Sequence, residues 1–161
     1  MKIYIFRHAQ KAMDFSGDPD LTAEGHGQAS TLLDKVLKNE LPAPTHLWVS
    51  PRKRTHSTFR PLAEHFKIPL TNQEDLLEQQ GDESLQTFRK RIGKLLEQAC
   101  ESKNEVIFMC SHYDWVIEAM SIIPSETDLS EDHFHHWTPC QCVGFEIEKD
   151  GMYKFLEIRR M

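Results

Sequence analysis

Three short stretches of this sequence place cationic and imidazole groups directly behind apolar runs. Arg7 and His8 follow Ile3–Phe6, Ser50-Pro51-Arg52-Lys53-Arg54 follows Leu47–Val49, and Ser111-His112 follows Val106–Cys110. Guanidinium planes grip phosphate oxygens through paired, charge-assisted hydrogen bonds, and an imidazole can attack phosphorus. The set therefore suits capture of a dianionic phosphoryl group and its transfer to a ring nitrogen. Neighbouring cations disfavour protonation of His8, which lowers its pKa and keeps the ring neutral and nucleophilic. An Arg-His pair alone is common by chance; its coincidence with two other strand ends carries the inference.

Those residues need a scaffold that brings three chain segments to one edge. The three apolar runs are continuous rather than alternating, as in strands buried on both faces of a parallel sheet, where ligands bind beyond the carboxyl ends. Helical spacing follows the first run through Ala29, Leu32, Leu33, Val36 and Leu37, and the second through Thr55, Phe59, Leu62, Ala63 and Phe66. A third helix is predicted on the stripe Leu85, Phe88, Ile92, Leu95, Leu96 and Ala99, capped by Asp82 or Ser84. A fourth begins near His112, turns Trp115, Val116, Ala119 and Met120 inward and ends before Pro124. Val143–Ile147 and Tyr153–Ile158 flank Asp150-Gly151, a hairpin signal. The expectation is an α/β fold over residues 1–161 as a single domain: a three-layer α/β/α sandwich with a mostly parallel central sheet and an antiparallel C-terminal hairpin. At 161 residues and 39% hydrophobic content the chain can bury one good core.

The formal net charge of −6 argues against sequence-independent binding to nucleic acid, where basic surface supplies most of the affinity. No apolar run approaches the ~20 residues needed to cross a bilayer. The chain starts directly with Lys2-Ile3-Tyr4-Ile5-Phe6, without a charged and apolar leader, and has four cysteines, which reads as a reduced, cytoplasmic protein.

The motifs together resemble the histidine phosphatase superfamily, also called phosphoglycerate mutase-like. Arg7-His8-Ala9 is similar to the family's Arg-His-Gly or Arg-His-Ala at the end of the first strand. Ser50 to Thr58 resembles its S-P-x-x-R-A-x-Q-T block, Val106–His112 its hydrophobic strand ending in Ser-His, and Leu21-Thr22-Ala23-Glu24-Gly25 its L-T-x-x-G helix opening. The resemblance implies a metal-independent phosphatase without a cofactor. In it His8 becomes phosphohistidine, Arg7, Arg54 and His112 bind the phosphoryl oxygens, and water hydrolyses the intermediate. Leu76-Leu77-Glu78 resembles the L-x-E segment that supplies the general acid in many members, so Glu78 is the first candidate, with Glu83 and Asp114 as alternatives. The sequence departs from the pattern at Ala9, Arg52, Thr55 and Ser57; Arg52 stands where Leu is frequent.

Only one full helix is expected between Arg54 and His112, where larger members carry segments that close over small substrates. An open site is therefore expected. Compactness and the Arg-His-Ala form resemble the bacterial phosphohistidine phosphatases of signalling proteins. The expected partner is a phosphohistidine protein, with a small phosphate ester as the alternative substrate and a non-catalytic phosphate-binding module as a third reading. His133, His135, His136, Cys140 and Cys142 are ligand types that suit zinc, yet their spacing matches no ordinary finger or knuckle, and core cysteines are frequent. No metal is assigned. His26, His46, His56 and His65 read as surface or interface residues.

Overall fold

Each continuous apolar run forms a strand, and the strand ends that carry the charged residues lie side by side. The computed structural model describes residues 1–102 and 105–161. In chain order its elements are β1 (Lys2–Arg7), α1 (Ala23–Leu37), β2 (His46–Val49), α2 (Lys53–Phe66), β3 (Leu70–Asn72), α3 (Leu85–Glu101), β4 (Val106–Ser111), α4 (Tyr113–Ile122), β5 (Cys142–Ile147) and β6 (Tyr153–Arg159). They build one six-stranded sheet in the order β3-β2-β4-β1-β5-β6. The β1–β4, β2–β4 and β2–β3 pairings are parallel, and β5 runs antiparallel to both β1 and β6. This is the expected α/β sandwich with its C-terminal hairpin.

Alternate residues of the central strands feed two cores. Ile3, Ile5, Ile107 and Met109 pack with Phe88, Ile92, Leu95 and Trp115 of α3 and α4. Tyr4, Phe6, Phe108 and Cys110 pack with Ala29, Leu32, Phe59 and Leu62 of α1 and α2. Helices thus cover both faces, which explains why the strand sequences do not alternate.

Several local choices fix the element ends. Thr22 caps α1 by accepting from the Gly25 amide, and Ser84 caps α3 by accepting from Thr87. A Cβ on Gly25 would lie 2.2 Å from the Gln10 carbonyl oxygen, so glycine alone lets α1 approach the segment that follows His8. Gly151, at φ +87°, closes the β5–β6 turn.

The structure differs from the sequence expectation at several points. Leu37 and Leu85, assigned to apolar stripes, are half exposed, because each sits at a helix terminus where the stripe leaves the sheet. The short edge strand β3 and the single helical turns at Glu74–Leu76 and Asp132–Phe134 carry no periodic pattern that would announce them. β5 begins at Cys142, one residue before the expected run.

Candidate active site

The carboxyl ends of β1, β2 and β4 are stitched together beyond the strands. The His8 amide donates to the Ser111 carbonyl at 2.9 Å, and the Ser50 amide to the Cys110 carbonyl at 3.2 Å. Behind His8, the Ala9 amide donates to Thr58 Oγ1 at 3.0 Å, and that hydroxyl donates to the Arg54 carbonyl at 2.6 Å. The first and second sequence blocks are therefore one hydrogen-bonded unit.

His8 exposes 6% of its surface. Its Nδ1 lies 2.7 Å from the Ala9 carbonyl oxygen, which can only accept, so Nδ1 carries the proton and Nε2 keeps its lone pair. Burial pushes the ring pKa down to about 4, with Arg54, Arg7 and Lys11 adding to the effect against the Ala9 hydrogen bond. His112 stacks edge-on to His8, with ring centroids 5.4 Å apart. A guanidinium only donates, so Arg54 Nη2 at 3.1 Å fixes His112 Nδ1 as an acceptor and its Nε2 as the protonated nitrogen. That Nε2 faces Ser50 Oγ at 2.8 Å and Glu78 Oε2 at 3.2 Å. Burial holds His112 far below the usual imidazole range and neutral.

Arg7 donates through Nη1 to the Trp137 carbonyl and lies 5.2 Å over the Tyr113 ring, a cation–π contact. Arg54 reaches Glu78 Oε1 at 3.2 Å and Asp18 Oδ1 at 3.6 Å. Asp18 also accepts from the Lys53 amide at the start of α2. Among the described residues, the buried Nε–H groups of Arg7 and Arg54 have no hydrogen-bond partner. Orphan donors of this kind cost about 1–3 kcal/mol each, and here both belong to guanidinium groups beside His8.

The sequence model described as the histidine phosphatase superfamily (branch 1) matches residues 3–82, the stretch that supplies His8, Arg54 and Glu78. The chain belongs to the histidine phosphatase superfamily. No curated protein matches it in sequence. Among solved structures, the protein histidine phosphatase SixA complexed with tungstate is 16% identical with a TM-score of 0.79, covering 99% of this chain and 97% of that one. Phosphoserine phosphatase from Entamoeba histolytica in complex with 3-phosphoglyceric acid is 15% identical with a TM-score of 0.76, again at 99% and 97% coverage. A mutant of that enzyme with phosphoserine is 16% identical with a TM-score of 0.73, covering 98% and 95%. At these identities the likeness is one of fold.

Within this histidine phosphatase fold the three candidate carboxylates separate clearly. Glu78 alone joins the cluster; burial pushes it up, but His112, Arg52 and Arg54 outweigh that and hold it ionised, well below the usual range. Glu83 instead forms a two-point ion pair with Arg91, at 2.7 and 2.9 Å. Arg91 in turn donates to the carbonyls of Asp75, Leu77 and Glu78, so Glu83 supports the segment that presents Glu78. Asp114 accepts from the Gln79 amide at 2.7 Å and from the Trp115 amide at 2.9 Å, closing the first turn of α4 against the same segment. Ser111 Oγ completes the hold by donating to the Leu76 carbonyl at 2.6 Å. Motif matching gives no role to Ser50, Arg52, Asp18 or Arg91; polar residues beside a strand end were the only sequence signal for the first two.

The zinc-type residues do not converge. His133 faces Glu131, His135 bonds the Ser130 carbonyl, and Cys140 and Cys142 are buried with Phe6 and Val49. Among the described residues no three His, Cys, Asp or Glu side chains form a metal-binding group.

Proposed function

We propose that this chain is a single-domain phosphatase that acts through a covalent phosphohistidine on His8, with phosphohistidine proteins as its substrates. One observation carries the proposal: a buried, neutral imidazole with Nε2 unprotonated lies under the charge of two arginines, whose buried Nε–H groups lack partners among the described residues. A phosphoryl dianion bound at His8 Nε2 would meet the charge of both guanidinium groups, which already acts on that ring.

In the proposed cycle the His8 Nε2 lone pair forms the new N–P bond while the bond from phosphorus to the leaving atom breaks with its electron pair. Arg7 and Arg54 take the growing charge on the equatorial oxygens, and His112 donates from Nε2 once Ser50 and Glu78 yield that proton. Water then attacks phosphorus, its proton passing to solvent, and releases inorganic phosphate with His8 restored. A phosphohistidine that is protonated on its second ring nitrogen leaves as neutral imidazole, so no proton has to be delivered to the breaking bond. An alkoxide needs one, and Glu78 is the carboxylate placed to give it.

That placement of Glu78 favours, as a second reading, hydrolysis of small phosphate esters. Four free thiols, and the absence among the described residues of a helix long and apolar enough to cross a membrane, support a cytoplasmic setting. The test is hydrolysis of para-nitrophenyl phosphate and of a phosphohistidine peptide by wild type and His8→Ala, with chelator present, across pH 5 to 8. Turnover that survives chelation and vanishes in the variant is expected. Phosphate binding without turnover on either substrate points to a non-catalytic phosphate reader, and metal-dependent turnover indifferent to His8 overturns the mechanism.

A further inference from the structure

Arg52 is the residue by which this site departs most in charge from its family's pattern, and the structure places it directly on Glu78. Its Nη2 lies 2.9 Å from Oε1 and its Nε 3.3 Å from Oε2, a two-point grip on the carboxylate. The other groups facing that carboxylate are Arg54 Nη2 on Oε1 and His112 Nε2 on Oε2, both at 3.2 Å. The main chain of the segment is held independently by Arg91, Ser111 and Asp114, so Glu78 would remain at the site without Arg52.

A carboxyl group serves as general acid only if it carries a proton when substrate is bound. Three features of the bound site bear on this. A phosphoryl dianion on Arg54 draws that cation away from Glu78 and adds negative charge, which favours protonation. His112 is neutral and opposes protonation only through its Nε2–H, 3.2 Å from Oε2. Among the described residues Arg52 remains as the cation on this carboxylate outside the phosphate cradle, and its fork occupies both oxygens, including the position a proton would take.

Resting on the histidine phosphatase reading above, we propose that Arg52 is a specificity-determining positioning residue: its grip on both oxygens of Glu78 withholds the carboxyl from acid catalysis and tunes the site to leaving groups that depart without a proton. Substrates of the phosphoramidate class, whose leaving group is a neutral imidazole, are thereby favoured over alkyl phosphate esters, whose leaving alkoxide must gain a proton as the P–O bond breaks.

The experiment compares kcat/KM of wild type, Arg52→Leu, Arg52→Lys and Arg52→Leu/Glu78→Gln on three probes: a phosphohistidine peptide, para-nitrophenyl phosphate and phosphoserine. In Arg52→Leu the ratio of phosphoserine to phosphohistidine turnover is expected to rise on the order of tenfold, a fraction of the roughly 10²–10⁴-fold that full acid catalysis supplies. A descending alkaline limb, absent from wild type, should appear for phosphoserine as Glu78 loses its proton. Arg52→Lys, a point charge without the fork, should fall between the two, and the double variant should lose the gain. An equal fall on all three probes in Arg52→Leu, or an unmoved ratio in an active enzyme, overturns the proposal while leaving the phosphatase reading intact. A wild type inert on all three removes both.

Discussion

Histidines gather in two regions of this molecule and do opposite things there. His8 and His112 sit at the carboxyl ends of β1 and β4, buried, neutral and each fixed in one tautomer by a partner of unambiguous polarity. His133, His135 and His136 sit in the loop before β5, and the side chains of the first two meet an exposed carboxylate and a backbone carbonyl. Residue type is shared; what differs is the surroundings. Strand ends converge by the geometry of a parallel sheet, so residues placed there gather whatever their distance in sequence, whereas neighbours in a loop point apart.

The sharpest way to break this comparison is to remove one histidine from each region. His8→Ala should lower turnover by about four orders of magnitude or more, as loss of a covalent nucleophile does, while phosphate still binds through Arg7 and Arg54. Steady-state kinetics together with calorimetric titration of phosphate separates those two effects. Retention of even a hundredth of wild-type turnover would sink the assignment of His8.

Arg54 tests the cradle rather than the nucleophile. It joins Glu78, His112 and Asp18, and its Nε–H is one of the orphan donors. Arg54→Ala should cost roughly 10²–10³-fold in kcat/KM, the usual scale for a donor aimed at developing charge. Arg54→Lys should recover only part of this, because an ammonium cannot bridge His112 and a phosphoryl oxygen as a fork does. Equal activity of the two variants would mean that charge without the fork contributes nothing, and full recovery in the lysine variant that charge alone matters.

Acid provides a third, smaller test. The folded pKa of His8, about 4, lies below the ordinary imidazole value of 6.5. Above pH 6.5 both folded and unfolded chains hold the ring neutral, and burial carries no proton-linked penalty. As pH falls from 6.5 towards 4 the unfolded chain takes up a proton that the folded one refuses, so stability is lost, by up to about 3 kcal/mol for this group. Urea unfolding of wild type should therefore weaken more steeply between pH 7 and 4.5 than that of His8→Ala. Over the same range kcat/KM, corrected for ionisation of the substrate, should hold to about pH 5; a midpoint near 6.5 would show an unperturbed ring.

How far the sequence anticipates all this follows from the same geometry. His8 and His112 were legible because each stands at a strand end, and Arg54 because it lies in the first turn of the helix that follows one; buried strands announce themselves as apolar runs. Glu78 was visible only through family resemblance, since the irregular segment that carries it has no period of its own and is positioned by Arg91, Ser111 and Asp114 from three other places. The grip of Arg52 on Glu78 spans residues from two unrelated segments, and no spacing rule encodes such a pair. Leu37 and Leu85 show the converse error: a stripe extrapolated one residue past the point where the helix leaves the core.

The smallest effect is expected where histidines are densest. The loop before β5 serves the site through its main chain: the Trp137 carbonyl accepts from Arg7, the Gln141 carbonyl accepts from the Arg7 amide at 3.0 Å, and the Cys140 amide donates to the His8 carbonyl at 3.1 Å. None of these contacts uses an imidazole. The His133–Glu131 pair, 3.4 Å apart and more than half exposed on both sides, belongs to a class worth about 0–1 kcal/mol. Replacing His133, His135 and His136 together by alanine should thus leave turnover within roughly twofold and zinc titration unchanged. A tenfold loss would instead mean that this loop presents side chains to the substrate, and the contrast between the two histidine regions would collapse into a single extended site.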